Sequence, residues 1–239
     1  MSISKGPAVK FLSKEEASKI DEELGSKYKI TIVQLLELAG YSCSLAFGEF
    51  YPAKKLAKSK ILVCCGVTHN GGIGLVTARH LKLYGYTVDI YHPKKSDKEI
   101  FGALVEQCQA LEIPMVGTLP TVNDIDINYP YIIDALFGYS FNPPVDQEFV
   151  PIYEALQKVK SSICSIDIPC GWDVEKGPID EKSIKPDLLI SLNAPKMCAN
   201  LFKGKSHLIV GRYIPVELQN RFNFNIPQYP PTGVYYKLK

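Results

Sequence analysis

The chain has 239 residues, of which 46% are hydrophobic and 22% charged, and its formal net charge is +2. That length suits one large α/β domain with a proper core, and so small a charge excludes nucleic acid or an anionic membrane as the main partner. The first residues, Met1 to Pro7, carry no apolar secretory stretch, and apolar runs such as 61–65 are far too short to span a bilayer.

In chain order, Ser13 and Glu16 form a capping-box pattern that opens a helix over 14–24. Thr31 and Gln34 repeat it before Leu35, Leu36, Leu38 and Ala39, so a second helix is expected to about Phe47. The run 60–66 is continuously apolar after its lysine and ends in glycine, as a strand covered on both faces does. A glycine-bearing loop over 67–74 should lead into a helix ending near Tyr84, with Gly85 closing it. Further strands are expected over 87–91, 115–116, 131–136, 162–168, 188–192 and 207–210. Helices are expected over 96–111, opened by Ser96 and Glu99, and over 150–159. From Arg212 on, several Pro and Tyr residues suggest a surface wrap. Strands alternating with helices imply βαβ units, hence a Rossmann-like three-layer αβα sandwich with a mostly parallel central sheet, spanning 1–239 as one domain.

Seven cysteines are an odd number without CxxC spacing. Several fall inside expected strands, where cysteine acts as a small hydrophobe. Reduced thiols in a reducing compartment are the expectation, which points to the cytoplasm, or to mitochondria after removal of a transit peptide.

The stretch Cys65 to Leu75 combines a buried strand, clustered glycines and a helix start. Glycines let backbone N–H groups approach an anion, and a helix N-terminus adds partial positive charge, so this junction suits phosphate or nucleotide. Gly72-Ile73-Gly74 gives only the first half of a dinucleotide fingerprint, Thr77 replacing its last glycine. Asp89 lies at a distance that would let it grip a ribose. Asp134 and Asp167 each follow a short apolar strand, so a parallel sheet brings both to one carboxyl edge beside the glycine junction. A carboxylate there can exchange protons or bind a cation. Trp172 is read as packing, and Lys196 as a solvated lysine near that edge.

Six ordered stretches together resemble the NAD(P)H-hydrate epimerase family, the YjeF N-terminal domain family, which includes the animal apolipoprotein A-I-binding proteins. They are Gln34 to Gly40, Asn70-Gly71-Gly72, Ala78 to Leu83, Asp134 to Gly138, Ser165 to Pro169 and Gly171 to Glu175. The resemblance implies interconversion of the R and S forms of hydrated NADH or NADPH, feeding a dehydratase that uses only the S form. It implies Asp167 as the catalytic acid/base. A first substrate loop holds His69, Asn70, Gly71, Gly72 and Ile73, and a second holds Gly138, Tyr139, Ser140, Phe141, Asn142, Pro143 and Pro144. It also implies a potassium ion held by Asn70, Asp134 and Cys170, a homodimer, and an apolipoprotein-type protein partner.

The chain departs from the family at named positions. Val67, Thr68 and His69 replace Pro, Gly and Asn, Ile73 replaces an Asp, and Cys170 replaces Ser or Thr. Losing one buried hydrogen bond from position 73 costs about 1–3 kcal/mol, roughly tenfold to a hundredfold in affinity. A thiol is also a poor ligand for a hard cation. The expectations are therefore a weakened epimerase or, as the alternative, a catalytically inactive paralogue acting as a protein- or nucleotide-binding module.

Overall fold

The computed structural model describes residues 9–56, 59–226 and 229–239. The first half of the chain gives α1 (Lys14–Ser26), α2 (Ile32–Phe50), β1 (Lys60–Cys65), α3 (His69–Leu83), β2 (Thr87–Tyr91), α4 (Glu99–Ala110) and β3 (Met115–Val116). The second half gives α5 (Val122–Asn128), β4 (Tyr131–Ala135), α6 (Val150–Leu156), β5 (Ser162–Ile166), β6 (Leu188–Leu192), β7 (Ser206–Val210), α7 (Val216–Arg221) and β8 (Tyr235–Lys237). Both N-terminal helices open on reciprocal caps, Ser13 with Glu16 and Thr31 with Gln34. Helix α3 closes on Gly85 at φ +86°, where Gly85 N–H bonds Lys82 O and Tyr86 N–H bonds Leu81 O. That pair of bonds is a Schellman closure.

The strands form one eight-stranded sheet in the order β3-β2-β1-β4-β5-β6-β7-β8. All neighbours are parallel except β7 and β8. Strand β1 shows why its sequence is unbroken and apolar. Ile61, Val63 and Cys65 face a core built with Leu36, Phe47, Leu75 and Leu81, whereas Leu62 and Cys64 face Ile125, Phe149 and Ile152. Helices α2, α3 and α4 thus cover one face and α5 and α6 the other, giving three layers. A smaller cluster joins α1 to α7 through Ile20, Leu24 and Leu218. The chain reverses its direction of winding between β1 and β4, and the crevice at such a reversal, outside the strands' carboxyl ends, is where open α/β sheets bind ligands.

Several local expectations are corrected. The glycine stretch is not a free loop, because α3 begins at His69 and Gly71, Gly72 and Gly74 lie within its first two turns. A Cβ on Gly71 would stand 1.9 Å from Gly66 O, and one on Gly74 would stand 2.6 Å from Ala135 Cβ. These glycines let the helix lie against β1 and β4. Ser96 does not cap α4: Lys98 occupies that position, and the Ser96 hydroxyl accepts instead from Lys98 N–H. Asp89 sits mid-strand, buried, holding Tyr129 and Lys60, so it grips no ribose. The presumed wrap after Arg212 contains α7 and the antiparallel strand β8. All seven cysteines are buried and unpaired. No described helix is long and apolar enough to cross a membrane.

Candidate functional site

Three distant stretches converge at the reversal point. Asn70, in the first turn of α3, is almost fully buried. Its Nδ2 donates to Phe137 O at 2.6 Å and to Ile166 O at 3.0 Å. One side chain thus ties the start of α3 to the exits of β4 and β5. A cavity of about 300 Å³ opens beside it, lined by Asp21, His69, Asn70, Ile73, Lys98, Gly138, Tyr139, Ser140, Asp167 and Leu192, among others. A second hollow of about 220 Å³ continues along Phe137, Phe141, Asn142 and Phe149.

Asp167 follows the last residue of β5. Ile168 N–H bonds Ile166 O at 2.9 Å while Asp167 takes φ +65°, a three-residue turn with positive φ at its centre. Such turns are rare and strained for a residue with a side chain, and strain of this kind gathers at functional sites. The carboxylate is held from three sides. Lys196 Nζ lies 2.6 Å from Oδ1, Leu192 N–H donates to the same oxygen at 3.3 Å, and Tyr139 N–H donates to Oδ2 at 3.2 Å. Lys196 is 2% exposed, which corrects the solvated reading. Its remaining donors meet Leu192 O at 2.8 Å and Ala194 O at 3.3 Å, and its ammonium stands 5.9 Å from the centre of the Tyr139 ring.

The loop after β4 is fastened from α1. Lys14 Nζ donates to Ser140 O, Phe141 O and Asn142 Oδ1. Two turns along α1, Asp21 accepts the Tyr139 hydroxyl at 2.7 Å. Burial pushes the Asp21 carboxyl above its ordinary pKa, although the Tyr139 hydrogen bond pulls the other way. Sequence reasoning missed Asp21, yet a signal was present. Ala17, Ile20 and Leu24 form the buried stripe of α1, and Asp21 falls among them at helical spacing.

The expected site residues divide accordingly. His69, Asn70, Ile73, Gly138, Tyr139, Ser140 and Asp167 line the main cavity, and Phe141 and Asn142 line its extension. Gly71 and Gly72 are packed inside, Gly72 against Leu36 and Phe101. Pro143 and Pro144 are exposed and line neither hollow.

Asp134 is wholly buried and lines neither hollow. It accepts from Ser165 Oγ and Cys170 N–H, each at 2.8 Å, and from Leu136 N–H at 3.3 Å. Burial pushes it up to about 6. Cys170 enters this group by its backbone, and burial pushes its thiol far above the ordinary range. The buried Asn70 Oδ1 has no hydrogen-bond partner. The oxygens of Asn70 and Asp134 suit a hard monovalent cation, whereas the neutral Cys170 thiol does not. Among the described residues no group of three His, Cys, Asp or Glu side chains is placed to hold a metal.

Comparison with known proteins relates the chain to a family and to a solved structure. The family described as YjeF-related protein N-terminus matches residues 33–198. The crystal structure of the yeast protein YNL200c is 37% identical, with a TM-score of 0.91, covering 96% of this chain and 100% of that one.

Proposed function

Because this chain belongs to the YjeF N-terminal family, we propose that it is an epimerase acting on the hydrated forms of NADH and NADPH. The observation that carries the reading is Asp167: a carboxylate on a strained turn, paired with a buried lysine, and facing a cavity at the sheet's reversal point. In the hydrate, a hydroxyl sits on the ring carbon next to the ring nitrogen. When an acid protonates that hydroxyl, the C–O electron pair leaves with oxygen as water, and the nitrogen lone pair forms a C=N bond. Water then adds to either face of the planar cation and gives its proton to a carboxylate. Asp167 is the residue that exchanges this proton. Lys196 and the Tyr139 N–H fix its orientation, and the negative carboxylate also favours the cationic ring. The start of α3, with Lys98 at the cavity wall, is the place for the dinucleotide's phosphates.

Potassium, where bound, would be held by Asn70 Oδ1 and Asp134. It would balance the buried carboxylate's charge and steady the Asn70 staple. The partner reaction is a dehydratase specific for the S form. The alternative is a non-catalytic binding module, and the apolar Ile73 in the cavity wall favours it. A coupled assay separates the two: mixed hydrate epimers, an S-specific dehydratase, and this chain. The epimerase consumes the R form faster than background, and Asp167→Ala abolishes the gain. If R is consumed no faster with the chain present, the binding-module reading stands instead.

A further inference from the structure

Inverting the hydroxyl-bearing carbon requires departure on one face of the ring and return on the other. One fixed carboxylate reaches only one face of a ring seated in a narrow cavity. Asp167 is rigidly held by Lys196, Leu192 and Tyr139, so it cannot swing across. The cavity needs a second proton-transfer group.

Asp21 meets that need. It comes from α1 and meets the hydroxyl end of Tyr139, whereas Asp167 meets that residue's backbone. The two carboxylates are bridged by that single residue, whose backbone N–H donates to Asp167 and whose hydroxyl, at the other end of the side chain, donates to Asp21. Both carboxylates line the main cavity, and both also line its narrow apolar annex with Ile32, Leu36, Ile73, Leu192 and Tyr213. Their surroundings differ. Asp167 faces an ammonium at 2.6 Å, whereas the only hydrogen-bond donor on Asp21 among the described residues is a neutral hydroxyl. Two carboxyl groups in unlike environments divide naturally into an acid and a base. Separated carboxyls on either side of a cationic ring are also how sugar hydrolysis with inversion is arranged.

We propose that Asp21 is the second catalytic acid/base, serving the ring face opposite Asp167. The proposal rests on the epimerase reading above. In one direction the Asp21 carboxyl gives its proton to the departing hydroxyl, which leaves as water. A second water then adds from the other side, and its proton goes to Asp167. The enzyme is left with Asp21 ionised and Asp167 protonated, the state that runs the reverse reaction. Proton exchange with cavity water restores the first state. Burial, which raises the Asp21 pKa, keeps more of it in the proton-bearing form.

The experiment follows label and configuration together, using each separated hydrate epimer with ¹⁸O in its hydroxyl. The wild-type chain washes out label with inversion from both epimers. In Asp21→Asn, whose amide oxygen still accepts from Tyr139, inversion falls about 10²–10⁴-fold at nearly constant KM. Label is still lost, without inversion, from the single epimer whose hydroxyl faces Asp167. Asp21→Glu restores part of the inversion. A merely structural role for Asp21 would lower washout and inversion together from both epimers, and that result overturns the proposal, as does inversion at the wild-type rate in Asp21→Asn. A wild-type chain that inverts neither epimer overturns the proposed function itself, and this inference with it.

Discussion

Replacing Lys196 with methionine removes one charge of the Asp167 ion pair while keeping an unbranched apolar stem in place. The two side chains are 3% and 1% exposed, so little water reaches either charge except through the cavity. The variant leaves Asp167 with only the Tyr139 and Leu192 N–H groups, and it strips Leu192 O and Ala194 O of the ammonium. Removing one partner of a buried pair costs about 3–5 kcal/mol, because the other charge stays buried and uncompensated. In a domain of this size that corresponds to a fall of about 6–20 °C in Tm. Removing both charges, as Lys196→Met with Asp167→Asn, should recover most of the loss, since replacing a whole buried pair is often near neutral. Urea melts of the wild type, both single variants and the double variant give the coupling directly. If Lys196→Met costs less than about 1 kcal/mol, as an exposed pair would, the pair is not the buried one described above.

Other outcomes follow from the same geometry. Gly71→Ala places a methyl 1.9 Å from Gly66 O and should destabilise by several kcal/mol or prevent folding, whereas Gly102→Ala, at an open position after the first turn of α4, should stabilise by up to about 1 kcal/mol; thermal melts compare them. His207 is buried beside Ser191, and burial lowers its pKa to about 4. It is therefore neutral when folded but takes up a proton near 6.5 when unfolded, so its stabilising share is full above about 6.5 and is lost as pH falls toward 4. The gap is worth about 3 kcal/mol. His207→Gln should flatten the fall in stability between pH 7 and 4 by that amount, and an equal fall in unfolding free energy for wild type and variant, from urea melts at the two pH values, would contradict it.

Much of the frame was legible because local chemistry and tertiary need agree there. The two capping boxes announced α1 and α2, the apolar run at Lys60 announced a doubly covered strand, and the strand-end positions of Asp134 and Asp167 announced a common edge. The start of α3 was misjudged because its glycines are poor helix formers, and close packing on the sheet overrides that propensity. Helix α5 was missed although Thr121 caps it through Asp124 N–H, because its seven residues carry too little periodicity. Lys196 was misjudged for a different reason. Nothing in Asn193-Ala194-Pro195-Lys196 reveals burial, which arises only when β6 lies beside β5 and its exit turns back over Asp167. The line between Asp134 and Asp167 was also invisible in sequence: both are strand-end carboxylates, but one is sealed in the core and the other lines the cavity.

In the proposed reaction, Asp167 exchanges the proton by which a hydrated nicotinamide ring loses and regains its hydroxyl. That role is tested most directly by incubating each purified epimer separately with the chain and resolving the products by chromatography. Both reactions should converge on one final R-to-S ratio, well ahead of the uncatalysed approach, and Asp167→Asn should remove the acceleration from both sides. Convergence at the uncatalysed rate, or full speed in Asp167→Asn, would contradict it.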